Sequence, residues 1–206
     1  MHSFENIIDK AKKKEASVAY EFYRLLKNAI LSGVSYPETQ CEFKDVVPEF
    51  PIGDKRADLT ILVSKYRKSL EPYLLIEVKA RVFNKPGPSI ASAIRRTRLY
   101  CQKINPTGYP FYAIYDGWSL FIFRDISPYL IAAGGTITDE HQCSCLLRGL
   151  EEYSYKSKLD SLAELSKHAD PDFLMKRVMP LVAKIFAKDG HEEEQLLGLW
   201  KQLLNK

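Results

Sequence analysis

The run YLLIEVKA at residues 73–80 constrains this chain more than any other stretch, because it is apolar on both faces until two charges appear near its end. A strand apolar on both faces has to be covered on both sides, which is the situation of a central strand in a layered α/β sheet. Strand alternation puts Glu77 and Lys79 on one face and Leu74, Ile76 and Val78 on the other. Charges at the end of a buried strand need partners, since an unpaired buried charge is costly.

The segments around this strand fit the same architecture. Residues 4–31 contain no proline or glycine, and Val18, Phe22, Leu25, Leu26 and Ala29 recur at helical spacing. Ser32-Gly33 is a stop signal for that helix. Loose alternation predicts a strand over 39–47, with Pro48, Pro51 and Gly53 forming a turn. The run ADLTILV at 57–63 predicts a second strand, so 73–80 is the third. Ser89 is placed to cap a helix reaching about residue 104. Strands at 110–115 and 118–123 flank Asp116-Gly117, a hairpin turn signal. Residues 125–153 carry no clear period, and from about residue 156 the pattern turns helical, with breaks at Asp170-Pro171 and Asp189-Gly190. The expectation is a mixed-sheet α/β core over 1–125 and a mostly helical C-terminal extension over 126–206, packed on the core or mediating oligomerisation.

Composition narrows the class. The 206 residues are 46% hydrophobic and 27% charged, which is globular rather than disordered. No apolar run approaches the roughly 20 residues of a membrane span, and Met1–Lys14 has no signal-peptide core. Four cysteines, at 41, 101, 143 and 145, are too few and scattered for a disulfide framework. These features lead us to expect a soluble, cytoplasmic protein.

The chemistry concentrates where two strands meet. If the second and third strands form a hairpin, Asp58 near the start of one comes opposite Glu77 near the end of the other. Two carboxylates brought together repel unless a cation lies between them. Hard oxygen ligands favour Mg²⁺ or Mn²⁺ over zinc. Lys79 points at the same place and is suited to hold a water near a phosphate.

Asp58 followed, after eighteen residues, by Glu77-Val78-Lys79 resembles the PD-(D/E)XK nuclease superfamily, whose restriction-endonuclease-like core runs α-β-β-β-α-β. Residues 10–125 are most similar to the N-terminal nuclease domain of type I restriction enzyme R subunits. The resemblance implies that Asp58 and Glu77 are the metal-binding acids and Lys79 the catalytic lysine, with the Val78 carbonyl as a further ligand. It also implies a glutamate from the first helix, for which Glu21 and Glu15 compete and Glu21 is slightly preferred. The implied reaction is Mg²⁺- or Mn²⁺-dependent hydrolysis of a phosphodiester, leaving a 5′-phosphate. Two departures stand out. R subunits often carry Gln-x-x-x-Tyr on the helix after the lysine, and here the span runs from Arg96 to Tyr100, with arginine in place of glutamine. No GxxxxGK[ST] phosphate loop is present, so the motor of a full R subunit is missing from this chain.

The net charge of +4 hides an uneven distribution. Between Val78 and Tyr115 there is no Asp or Glu, while Lys79, Arg81, Lys85, Arg95, Arg96, Arg98 and Lys103 give +7. A basic helix beside an acidic site suits a phosphate backbone, making DNA the expected partner, although the residues do not separate DNA from RNA. Tyr100, Tyr109 and Tyr112 either stack on bases or pack in the core. His141-Gln-Cys143-Ser-Cys145 is too tightly spaced for a usual zinc site and reads as a strand or turn. The lysines at 12–14 read as a solvated helix end. A stripe of Leu196, Leu197, Leu199, Trp200, Leu203 and Leu204 either packs on the chain's own core or joins a homodimer or larger homo-oligomer. The sequence leads to a metal-dependent DNA endonuclease of restriction, repair or mobile-element type. The alternative is a catalytically silent DNA-binding module of a defence or repair complex.

Overall fold

A computed structural model describes residues 4–34, 41–65, 70–79, 88–104, 111–117, 120–124, 130–134 and 137–156. Arg81, Lys85, Tyr109 and the C-terminal helices expected beyond residue 156 lie outside these residues. Helix α1 (Phe4–Leu31) forms over the span without helix breakers. It ends where expected: Gly33 has φ +87°, and the Ser32 hydroxyl donates to the Ala29 carbonyl at 2.8 Å. Phe22, Leu25, Leu26, Ala29 and Ile30 form its buried stripe.

Strand β1 (Cys41–Ile52) is longer than its sequence suggests and runs through both Pro48 and Pro51. It tolerates them because it is the sheet's edge strand, where a missing N–H breaks no inter-strand bond on the open side. The turn is instead the two residues Gly53 and Asp54, with Gly53 at φ +64° and Ile52 paired to Lys55. Strands β2 (Lys55–Lys65) and β3 (Leu70–Val78) continue the antiparallel meander. Helix α2 (Pro88–Ile104) follows, opening on proline one residue ahead of the expected Ser89 cap. Proline suits the first helical position, where no N–H is needed. Strand β4 (Phe111–Tyr115) then lies parallel to β3, and β5 (Leu120–Arg124) and β6 (Leu130–Gly134) complete an antiparallel ribbon. The six strands lie in sequence order in one mixed sheet, so the protein is mixed α/β.

Helix α3 (Glu140–Lys156) occupies the stretch that lacked a clear period. The segment containing His141, Cys143 and Cys145 is therefore helical, not a strand or turn. Its start is fixed by side-chain caps: Gln142 N–H donates to Asp139 Oδ1 at 2.9 Å, and Thr138 N–H donates to Gln142 Oε1 at 2.8 Å. Cys143, Leu146, Leu147 and Leu150 then share one buried face. Strand β6 pairs with β5 and α3 packs against α1, so residues 130–156 are continuous with the core that precedes them.

Alternation sorts the sheet into two faces. Leu59, Ile61, Leu74, Ile76, Val78, Ala113 and Tyr115 join one cluster with the buried stripes of α1 and α3. Leu75, Glu77, Tyr112 and Ile114 are buried on the other face; α2 packs against β3 and β4, and its Ala93, Ile94 and Cys101 are buried. Each fully covered apolar side chain contributes about 1.5–3 kcal/mol, so the central strands anchor whatever is mounted at their ends. Among the described residues, no helix is long and apolar enough to cross a membrane.

Candidate active site

The ends of β2 and β3 bring the charged residues together. Leu59 pairs with Ile76, so one step further along the antiparallel ladder Asp58 comes opposite Glu77. The Val78 N–H donates to Asp58 Oδ2 at 2.7 Å, tying the aspartate to the third strand. Burial pushes the Asp58 carboxyl above its ordinary pKa; the Val78 hydrogen bond and nearby Lys79 oppose that shift, and Glu15 adds to it.

Glu77 is only 1% exposed, and its burial demands a cation. Two are supplied. Lys79 Nζ lies 2.9 Å from Glu77 Oε1, and Arg96 of α2 reaches the same oxygen. The position that departs from the R-subunit pattern thus carries the counter-ion of the buried glutamate.

Lys79 follows β3 directly, and its backbone N–H donates to the Tyr115 carbonyl at 2.9 Å, prolonging the parallel pairing with β4. Its ammonium contacts Glu15 Oε1 at 2.8 Å and the Val78 carbonyl at 2.8 Å as well as Glu77. Glu15 and the Val78 carbonyl accept hydrogen bonds from the ammonium, and Glu77 Oε1 adds an ion-pair contact. The helix acid at Lys79 is Glu15, whereas Glu21 is exposed and bound to Arg24 at 2.7 Å. The preference for Glu21 is therefore corrected. Helix geometry explains it: Glu15 precedes Phe22 by seven residues and so extends the buried stripe, while Glu21 is turned by about 100° from it.

Beside this cluster, a cavity of about 520 Å³ opens between α1 and the first two strands. It is lined by Glu15, Asp58 and Val78 together with Tyr20, Tyr23 and Glu49, three residues that no sequence pattern singled out. Glu49 sits at φ +52°, an uncommon backbone state for a side chain of its size. It follows Pro48 in the edge strand, and only that placement hints at its conformation.

The basic helix is divided in its use. Arg95 and Lys103 are exposed, Arg98 is half-buried, and Arg96 turns to Glu77. Tyr100 is 5% exposed, which withdraws it from base stacking and corrects that expectation. Tyr112 is fully buried and stacks on Phe123 with ring centroids 5.1 Å apart.

The donor set suits a hard divalent cation: two carboxylates, Asp58 and Glu77, and the Val78 carbonyl. Among the described residues, no three His, Cys, Asp or Glu side chains form a metal cage. Glu15 and Glu77 are paired with the Lys79 ammonium and Glu77 also with the Arg96 guanidinium, while Asp58 accepts from the Val78 N–H. No protein-family model, curated protein or solved structure matches this chain.

Proposed function

We propose that the protein is a Mg²⁺- or Mn²⁺-dependent nuclease with a restriction-endonuclease-like core, hydrolysing phosphodiester bonds in DNA in a restriction, repair or mobile-element context. The observation that carries this reading is the cluster at the ends of β2 and β3, where Asp58, Glu77 and Lys79 meet Glu15 of α1. In this reading Asp58, Glu77 and the Val78 carbonyl hold the ion. When bound, it would polarise the scissile phosphate and acidify the attacking water.

The chain's own groups do the rest. Glu15 and the Val78 carbonyl fix Lys79 Nζ, and its N–H donors stabilise negative charge growing on the phosphate oxygens. Asp58, steadied by the Val78 N–H, keeps its second carboxylate oxygen for the ion. Arg95 and Lys103, exposed on α2, are available to contact the nucleic-acid backbone.

The test is Lys79→Ala assayed on plasmid and linear DNA with Mg²⁺ and with Mn²⁺. Cleavage is expected to disappear while the circular dichroism spectrum and DNA binding stay close to wild type. Undiminished cleavage would remove Lys79, and with it this mechanism.

One observation favours a second reading, a catalytically silent DNA-binding module. Glu77 is paired with both Lys79 and Arg96, which compensate its charge from within the chain. Salt-sensitive DNA binding with no cleavage under either ion would select it.

A further inference from the structure

We propose that Arg96 is an electrostatic latch that couples phosphate binding to metal loading at Glu77. The inference rests on the nuclease reading above and adds a regulatory residue to it.

The charge balance of the cluster motivates it. With Glu15, Asp58 and Glu77 ionised, Lys79 and Arg96 leave a net charge of −1. A divalent cation added with Arg96 in place would bring the cluster to +1 and set a third cation against an oxygen that already faces Lys79 and Arg96. With Arg96 withdrawn the sum is zero. At contact distances inside a protein, such a like-charge approach is strongly unfavourable.

The two cations on Glu77 differ in their freedom to leave. Lys79 is 17% exposed and is held by Glu15 and the Val78 carbonyl besides Glu77. Arg96 is 44% exposed, and among the described residues Glu77 is its ion-pair partner. Its neighbour Arg95 already faces solvent. A backbone phosphate arriving at α2 offers the guanidinium a bidentate anion in exchange for the carboxylate. Transfer of Arg96 to the phosphate leaves Lys79, among the described residues, as the one cation at Glu77 Oε1, so an incoming ion meets one competing charge there instead of two. Metal binding in the free protein is therefore weak, and nucleic acid strengthens it. By linkage, the ion strengthens nucleic-acid binding by the same factor.

The experiment is calorimetric titration of Mn²⁺ into wild type, Arg96→Gln and Arg24→Gln. The last removes the same charge from an exposed position on α1 remote from the cluster. Each protein is titrated alone and with a short DNA duplex whose phosphorothioate linkages resist hydrolysis, the titration of duplex alone being subtracted. Arg96→Gln alone should bind Mn²⁺ about tenfold or more tightly than wild type, and Arg24→Gln should match wild type. The duplex should tighten Mn²⁺ binding about tenfold for wild type and little for Arg96→Gln. Equal Mn²⁺ affinities for wild type and Arg96→Gln, each unaffected by duplex, would overturn the latch and leave the nuclease reading intact. No Mn²⁺ binding by any of the proteins, with or without duplex, would overturn both.

Discussion

The Asp58 carboxylate and the Val78 backbone N–H are joined by a 2.7 Å hydrogen bond that holds the ends of two neighbouring strands in one site. Val78 is fully buried, so its N–H depends on that acceptor. Asp58→Ala removes it and should cost about 1–3 kcal/mol of stability. Asp58→Asn keeps a carbonyl acceptor and should fold normally, yet on the proposed nuclease reading it should cut no DNA, because a carboxylate charge of the ion's site would be gone. Burial raises the Asp58 pKa, so the folded chain keeps its proton to a higher pH than the unfolded chain does. The associated stability is complete below the ordinary carboxylate pKa and is lost as pH rises through the raised value. Asp58→Asn should therefore melt no lower than wild type at neutral pH, with any advantage disappearing in acid. Thermal melts of both variants at several pH values, beside a cleavage assay, check each part.

The two acids of α1 should separate cleanly in an assay. Glu15 holds the Lys79 ammonium at 2.8 Å, whereas Glu21 pairs with Arg24 on an exposed face. On the proposed nuclease reading, Glu15→Gln should lower the cleavage rate by roughly tenfold to a hundredfold, the usual scale for a displaced catalytic group. Glu21→Gln should stay within about twofold, since exposed ion pairs contribute little. Equal losses in the two variants would assign α1 a different role.

Much of the architecture was legible because periodicity carries it. The uninterrupted amphipathic run gave α1 its full extent, and the apolar 73–80 stretch marked a central strand with its charges at one end. Two failures have local causes. The sheet edge tolerates Pro48 and Pro51, so prolines that read as a turn lie inside β1. Helix α3 announces itself through Asp139 and Gln142, a capping signal three residues apart, rather than through a long apolar period. The site was legible to the extent that strand alternation fixes it, as for Asp58, Glu77 and Lys79. Arg96 was not, because its role depends on α2 crossing the sheet face that carries Glu77, a tertiary relationship that no local pattern encodes. Glu15 was legible in principle: it continues the helical stripe of Val18 and Phe22, and Glu21 does not.

Gly117 connects the β4–β5 turn to α1. Its φ is +83°, and a Cβ built there would lie 3.3 Å from a methyl of Val18. Gly117→Ala imposes a left-handed conformation on a residue with a side chain, costing about 1–2 kcal/mol. It also presses on the helix one turn from Glu15. For a chain of this size each kcal/mol corresponds to about 2–4 °C, so a melting temperature lower by roughly 2–8 °C is expected. Cleavage should fall by more than the unfolded fraction explains, because α1 carries the residue that positions Lys79. An unchanged melting temperature would show that the turn relaxes without strain.

The cysteines offer a test that needs no substrate. Cys41, Cys101 and Cys143 are buried and only Cys145 is part-exposed, 3.6 Å from His141 Nε2. A thiol reagent such as dithionitrobenzoate at pH 8 should modify one thiol rapidly in the folded protein and all four in denaturant. Burial beside Asp139 and Glu140 pushes the Cys143 thiol from 9.0 up to about 12. Between those values the unfolded chain releases the proton while the folded chain keeps it. The stability this group contributes is therefore complete below about pH 9 and is lost progressively toward pH 12. Denaturant titrations at pH 8 and pH 10 should show wild type losing more stability than Cys143→Ala, which has no such proton. Rapid reaction of a second thiol that is lost in Cys143→Ala would mean that α3 does not cover Cys143 as tightly as its packing against α1 requires.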